Sequence, residues 1–249
     1  MIVVTGVGRS GTSLVALIYR ELGFDPGGEW YPRWGAGLED PRVVELNNRI
    51  IRLLGIGIPI RDGPGWIRNP GRSRASALGG FVRSRFEAWP EILARKPAVR
   101  WERFERTVDR LRDGVVEEAR AHQVVKDPRF CWTLAVWAAA GAPLDHVLIC
   151  HRNVDAMIRS RVRVGHLEPR SWTRTKNAFI QATGMCLAAV NDYDLDYALV
   201  RFPRFVEEPR ELYEAMRFPE AVSWKRFSAA FGKVADREQV HEWGEGAGP

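Results

Sequence analysis

The chain has 249 residues, 45% of them hydrophobic and 27% charged, a balance that excludes a disordered or collagen-like protein and supports a substantial buried core. Its net charge of +6 favours anionic ligands. The arginines are scattered, with no polybasic tail and no basic helix interleaved with stacking aromatics, so no nucleic-acid partner is expected.

The first predicted element is a strand at Ile2, Val3 and Val4, a short β-branched run. Gly6-Val7-Gly8-Arg9-Ser10-Gly11-Thr12-Ser13 follows as a glycine-rich turn, and Leu14 to Leu22 reads as a helix closed by Gly23. Strand, glycine loop and helix together make an anion cradle. Glycine lets the backbone approach the ligand, successive N–H groups point inward, and the helix N-terminus adds partial positive charge. Gly6, Gly11 and Ser13 fit the spacing of the nucleoside-triphosphatase loop, G-x-x-x-x-G-K-[ST], but Thr12 stands at the lysine position. The loop's cation is Arg9 instead, which suits an anion other than magnesium-bound ATP. A plain glycine turn without a ligand is the alternative.

Phe24 to Leu38, rich in glycine, proline and tryptophan, reads as a loop. Its Trp30, Tyr31 and Trp34 either line a substrate mouth or pack the loop down. Asp40 is a good N-cap and Pro41 a good first residue for a helix over Arg42 to Leu54, with Glu39 just before it. Glu39 either joins the cap or faces a ligand. Gly55 to Gly80 is dense in turn signals and is expected to form a lid. Two helices follow, Phe81 to Arg95 and Val99 to Ala121. The second carries charged faces and a core stripe of Phe104, Leu111 and Val115.

A short strand is expected to end at Lys126, with Asp127 as cap and Pro128 opening the next helix. Side chains at the C-terminal end of a parallel strand face the ligand crevice, and a buried lysine there is costly unless it meets an anion. Asp145 to Cys150 is the next strand. It delivers Arg152, and Ser160 lies eight residues later, about two turns into the following helix. Arg159, Arg161 and Arg163 alternate around that helix and cannot all face one ligand. His151 and His166 are candidate bases or substrate contacts. Ser171 to Val190 reads as a helix, Tyr197 to Phe202 as a last strand, and Arg210 to Met216 as a helix. The tail from Val222 carries Trp224, Lys225, Arg226, Phe227 and Lys233, and Gly244 to Pro249 is expected to fray.

No apolar run approaches about eighteen residues, so no transmembrane span is expected. The three cysteines, Cys131, Cys150 and Cys186, are odd in number and form no C-x-x-C pair. They read as buried thiols in a reducing compartment, and a strand beginning at Ile2 leaves no signal peptide, so a cytoplasmic location is expected. Strands alternating with helices predict one α/β domain over residues 1–249, with a mainly parallel sheet flanked by helices and residues 24–121 as a substrate-binding insertion.

The segment Gly6 to Leu14 resembles the 5′-phosphosulfate loop of sulfotransferases that use 3′-phosphoadenosine 5′-phosphosulfate (PAPS), whose bacterial members carry G-x-x-R-S-G-T-[ST]-L. Lys126-Asp127-Pro128-Arg129 resembles the family's K-D-P-[RF] segment. Arg152 and Ser160 are similar to its arginine-then-serine pair at a strand end and on the next helix. Gly35 to Asp40 loosely resembles a G-x-x-E-D segment. The resemblance implies a three-layer, P-loop-like fold. It implies that Arg9 and the N–H groups of Ser10, Gly11, Thr12 and Ser13 hold the 5′-phosphosulfate, and that Arg152 and Ser160 hold the 3′-phosphate. It further implies that Lys126 and Arg9 stabilise the transferring group, that Glu39 is the general base, and that no metal is required. The acceptor would be a hydroxyl of a small molecule, glycan or lipid. The family's late acidic motif is replaced here by Arg201-Phe202-Pro203-Arg204-Phe205. A late basic segment often closes the 3′-phosphate site in the family, and no residue of this tail stands out for that role. The alternatives are a magnesium-dependent P-loop kinase and a non-catalytic module that binds bisphosphoadenosine.

Overall fold

The computed structural model describes residues 1–31, 36–56, 97–163 and 172–235. Its centre is a four-stranded, all-parallel sheet in the order β4-β1-β5-β6, made of β1 (Ile2–Thr5), β4 (Val124–Lys126), β5 (His146–His151) and β6 (Tyr197–Arg201). Parallel strands covered on both faces are continuously apolar, and β1, β4 and most of β5 are buried at every residue.

The strand pleat divides these residues between two cores. Val3, Val125, Val147 and Ile149 face one layer, made of α2 (Pro41–Leu54), α3 (Pro97–Ala121), α4 (Phe130–Ala139), α5 (Val154–Arg163) and α6 (Trp172–Asp192). Ile2, Val4, Val124, Leu148, Cys150 and Val200 face the other, made of α1 (Thr12–Glu21), α7 (Arg204–Glu207), α8 (Pro209–Ala215) and α9 (Trp224–Val234). The protein is therefore a three-layer α/β fold of P-loop-like arrangement. β1 has β4 on one side and β5 on the other, so the chain reverses its winding direction at β1. In open α/β sheets the carboxyl ends of the strands at such a reversal border the ligand crevice.

Several boundaries differ from the sequence expectation. The first helix begins at Thr12 rather than Leu14, because Gly11 itself serves as N-cap. The helix after β4 begins at Phe130 rather than Pro128. Asp127 Oδ1 still accepts the Arg129 N–H at 2.9 Å, so its capping role is kept in the turn just before the helix. Within the predicted loop Phe24–Leu38, β2 (Trp30–Tyr31) and β3 (Ala36–Gly37) pair antiparallel. The tail, to which the sequence assigned no element, holds α9. Ser223 caps that helix, and Phe227, Ala230 and Phe231 are buried on the α1 layer. The predicted lid over Gly55 to Gly80, from residue 57 onward, the helix Phe81–Arg95, Trp34, His166, Ser171 and the last residues from 236 onward lie outside the described residues. All three cysteines are free and buried, as expected. No helix among the described residues is long and apolar enough to cross a membrane.

Candidate functional site

The carboxyl ends of β1, β4 and β5 carry the site. Gly6 ends β1 at φ 145, and a Cβ there would stand 2.2 Å from the Cys150 carbonyl oxygen and 2.6 Å from Ser10 Oγ. Only glycine lets the loop turn this tightly against β5. Gly11, at φ 95, starts α1 without a side-chain cap, leaving the first helical amides to an outside acceptor. Arg9 is held at φ 78, in the left-handed region, which costs a non-glycine residue roughly 1 kcal/mol or more. Such strain concentrates where function requires a particular side-chain direction. Ser10 is wholly buried, and its Oγ has no hydrogen-bond partner among the described residues. An orphaned buried hydroxyl costs about 1–3 kcal/mol, a penalty that an oxygen bound in the loop would relieve.

The β5 end meets this loop. Arg152 is buried, donates from Nη1 to the Arg9 carbonyl at 3.3 Å, and lies over the Phe202 ring at 4.9 Å. Ser160, two turns into α5, accepts a hydrogen bond from Arg9 Nε at 3.0 Å. The sequence pair Arg152/Ser160 and the loop cation are thus one cluster. Thr12 is buried at the first turn of α1, and Ser13 is half-buried beside it. Burial lowers the Arg9 pKa from its ordinary value, so its charge is partly desolvated and its attraction for an anion strengthened.

The β4 end supplies a second cluster beside the first. Lys126 pairs in register with Val4, one residue short of the β1 terminus. It is 2% exposed, and its Nζ donates to Glu39 Oε1 at 2.7 Å and to the Gly37 carbonyl at 3.0 Å. Glu39 Oε2 also meets Arg129 Nη1 at 3.3 Å. The sequence left Glu39 between capping and facing a ligand. Asp40 alone takes the cap, accepting the Arg42 and Val43 amides at 2.8 and 3.1 Å. Leu38, buried at φ 60, turns the chain so that Glu39 points to Lys126. Burial alone would push the Glu39 carboxyl up; Lys126 and Arg129 outweigh it and hold the group below the usual carboxylate range. Glu39 is consequently ionised at neutral pH. His151 is half-buried, and its pKa is lowered by burial and by Arg201.

Three residues that hold this cluster were given no role in the sequence reading. Arg129 bridges Glu39 and Asp127, and its Nε donates to Asn48 Oδ1 at 3.0 Å. Asn47, fully buried on α2, donates to Asp127 Oδ2 at 2.9 Å and accepts from Thr133 and Trp137 at 2.6 and 2.8 Å. The signal for Asn47 was present: it lies between Val43 and Ile50 on the apolar stripe of α2, where a polar residue must find partners. Two basic residues of the tail, by contrast, reach the far end of α1. Arg226 donates to the Leu22 carbonyl, and Lys233 pairs with Glu21. That end is about 15 Å along the helix from the loop. Neither residue closes the anion site.

Comparison with family models, curated proteins and solved structures returns no match.

Proposed function

We propose that this protein is a cytoplasmic sulfotransferase that moves a sulfuryl group from PAPS to a hydroxyl of a small-molecule, glycan or lipid acceptor, releasing 3′,5′-bisphosphoadenosine. The observation that carries the reading is the convergence of two clusters at the winding reversal. One is an anion cradle (Arg9, Ser10, Arg152, Ser160), and the other is a buried acid–base pair (Glu39, Lys126). The donor set fits a nucleotide with two separate anionic ends. The amides of Gly11, Thr12 and Ser13, with the idle Ser10 hydroxyl, suit the 5′-phosphosulfate, whereas the Ser10 amide donates to the Val7 carbonyl at 3.1 Å. The guanidinium of Arg152 and the hydroxyl of Ser160 suit a phosphate monoester. The free, buried cysteines support the cytoplasmic setting.

When bound, the donor supplies a sulfuryl group activated by its link to a phosphate leaving group. The protein's part in the transfer is proton handling and charge neutralisation. Glu39, already ionised, takes the acceptor's hydroxyl proton on a carboxylate oxygen as the oxygen–sulfur bond forms. Lys126 and Arg9 offset the negative charge that develops on the departing bridging oxygen. Arg129 and Gly37 fix Glu39 and Lys126 relative to each other, limiting reorganisation during the step.

Isothermal titration with 3′,5′-bisphosphoadenosine in EDTA, alongside ATP with magnesium, tests this. Metal-free binding of the bisphosphate, weakened by Arg152→Ala, is expected. Binding of ATP–magnesium alone would replace this reading with the kinase. Binding of the bisphosphate with no transfer to any acceptor class, and no effect of Glu39→Gln, would favour a non-catalytic binding module.

A further inference from the structure

From sequence, Arg159, Arg161 and Arg163 alternate around α5 and cannot all face one ligand, with no choice made among them. The structure brings the Arg161 guanidinium to the loop. A Cβ built on Gly8 would stand 2.9 Å from Arg161 Nη2 and 3.8 Å from its Cζ. The same guanidinium lies over the Phe179 ring, its Cζ 4.8 Å from the ring centre. Glycine at position 8 leaves the space that the arginine tip occupies.

Arg152, Ser160 and Arg161 all come from β5 and the segment after it, and all touch the same stretch of loop. Arg152 reaches the Arg9 carbonyl, Ser160 the Arg9 side chain, and the Arg161 tip fills the space where a side chain at Gly8 would begin. They approach at the Gly8–Arg9 side, away from the α1 N-terminus that serves the 5′ end. Arg226 and Lys233 of the tail sit instead at the far end of α1.

Resting on the donor reading above, we propose that Arg161 is a nucleotide-binding residue that completes the 3′-phosphate site with Arg152 and Ser160. A planar guanidinium suits this role, since it bonds a phosphate through two N–H groups. Lysine would keep the charge and lose the fork.

The test compares wild type with Arg161→Ala, Arg161→Lys and Gly8→Ala. Each is titrated with 3′,5′-bisphosphoadenosine, and adenosine 3′-monophosphate and adenosine 5′-monophosphate are ranked by competition. Arg161→Ala is expected to weaken the bisphosphate and the 3′-monophosphate roughly tenfold or more and to leave the 5′-monophosphate unchanged. Arg161→Lys retains part of the affinity. Gly8→Ala keeps Arg161 chemically intact but pushes its flexible tip aside, so it weakens the same two nucleotides even if Arg161→Ala misfolds. Unchanged affinities in the folded variants, or a loss confined to the 5′-monophosphate, would overturn the assignment of Arg161 alone. A wild-type protein that fails to bind the bisphosphate takes the donor reading down with it, and shows that before any variant is compared.

Discussion

Glu39 carries a testable consequence of its surroundings. Its carboxyl is held below the ordinary range by Lys126 and Arg129 against the opposing effect of burial. A depressed carboxyl stabilises the fold wherever it is ionised. The contribution is therefore fully present above the unfolded value of about 4.3 and is lost as pH falls through the folded value below that. Glu39→Gln leaves Lys126 buried beside a neutral amide and should cost about 3 kcal/mol at pH 7. In urea unfolding the difference from wild type should stay constant from pH 8 to 5 and shrink below about pH 4. A difference that shrank between pH 7 and 6 would point to a histidine. The same logic separates the candidate bases in transfer assays. Glu39 predicts no acid inflection of kcat/KM between pH 5 and 8. His151, its pKa lowered from the usual histidine value by burial and Arg201, predicts one at or below about 6.5.

At the scale of the elements, α2 does two jobs with residues two turns apart. Its N-cap Asp40 starts the helix, and its buried Asn47 ties the helix to Asp127, Thr133 and Trp137. Asp40→Ala should cost about 1 kcal/mol in chemical denaturation and leave bisphosphate affinity unchanged, because its carboxylate is engaged by the α2 amides and lies beside His122. Asn47→Ala should cost more, about 2–3 kcal/mol, since it strands the partners of a buried amide. It should also loosen Arg129, seen as a weaker pH-insensitive baseline in the Glu39 experiment. Equal costs for the two variants would contradict the bridging role of Asn47.

For the whole molecule, the site sits on the carboxyl ends of β1, β4 and β5, so a ligand there links strands whose connections span most of the chain. Bisphosphoadenosine at a hundred times its dissociation constant should stabilise the native state by about 2.7 kcal/mol. For a protein of this size that raises the melting temperature by roughly 5–10 °C. The rise should persist in EDTA and fall away in Arg152→Ala. A rise that requires magnesium would contradict the metal-free reading.

Much of the molecule was legible before any fold was known, and what was legible is local. β-branched runs at Ile2–Val4 and His146–Cys150, the glycine spacing of the loop, Asp40 before Pro41, and the strand end at Lys126 are all decided by backbone sterics and hydrogen bonding over a few residues. Those features determined the α/β class and the position of the anion loop. The tertiary structure alone decided which long side chains share a space. Glu39 reaches Lys126 across 87 residues because Leu38 turns the chain inward. Arg161 reaches Gly8 because a long side chain bends back over Phe179. Arg226 and Lys233 are drawn to the far end of α1 because Phe227 and Phe231 bury α9 against that layer. Helical spacing sets where a Cα–Cβ bond points, but a flexible arginine or lysine ends about 6 Å further on, wherever burial and opposite charge have been assembled by distant parts of the chain.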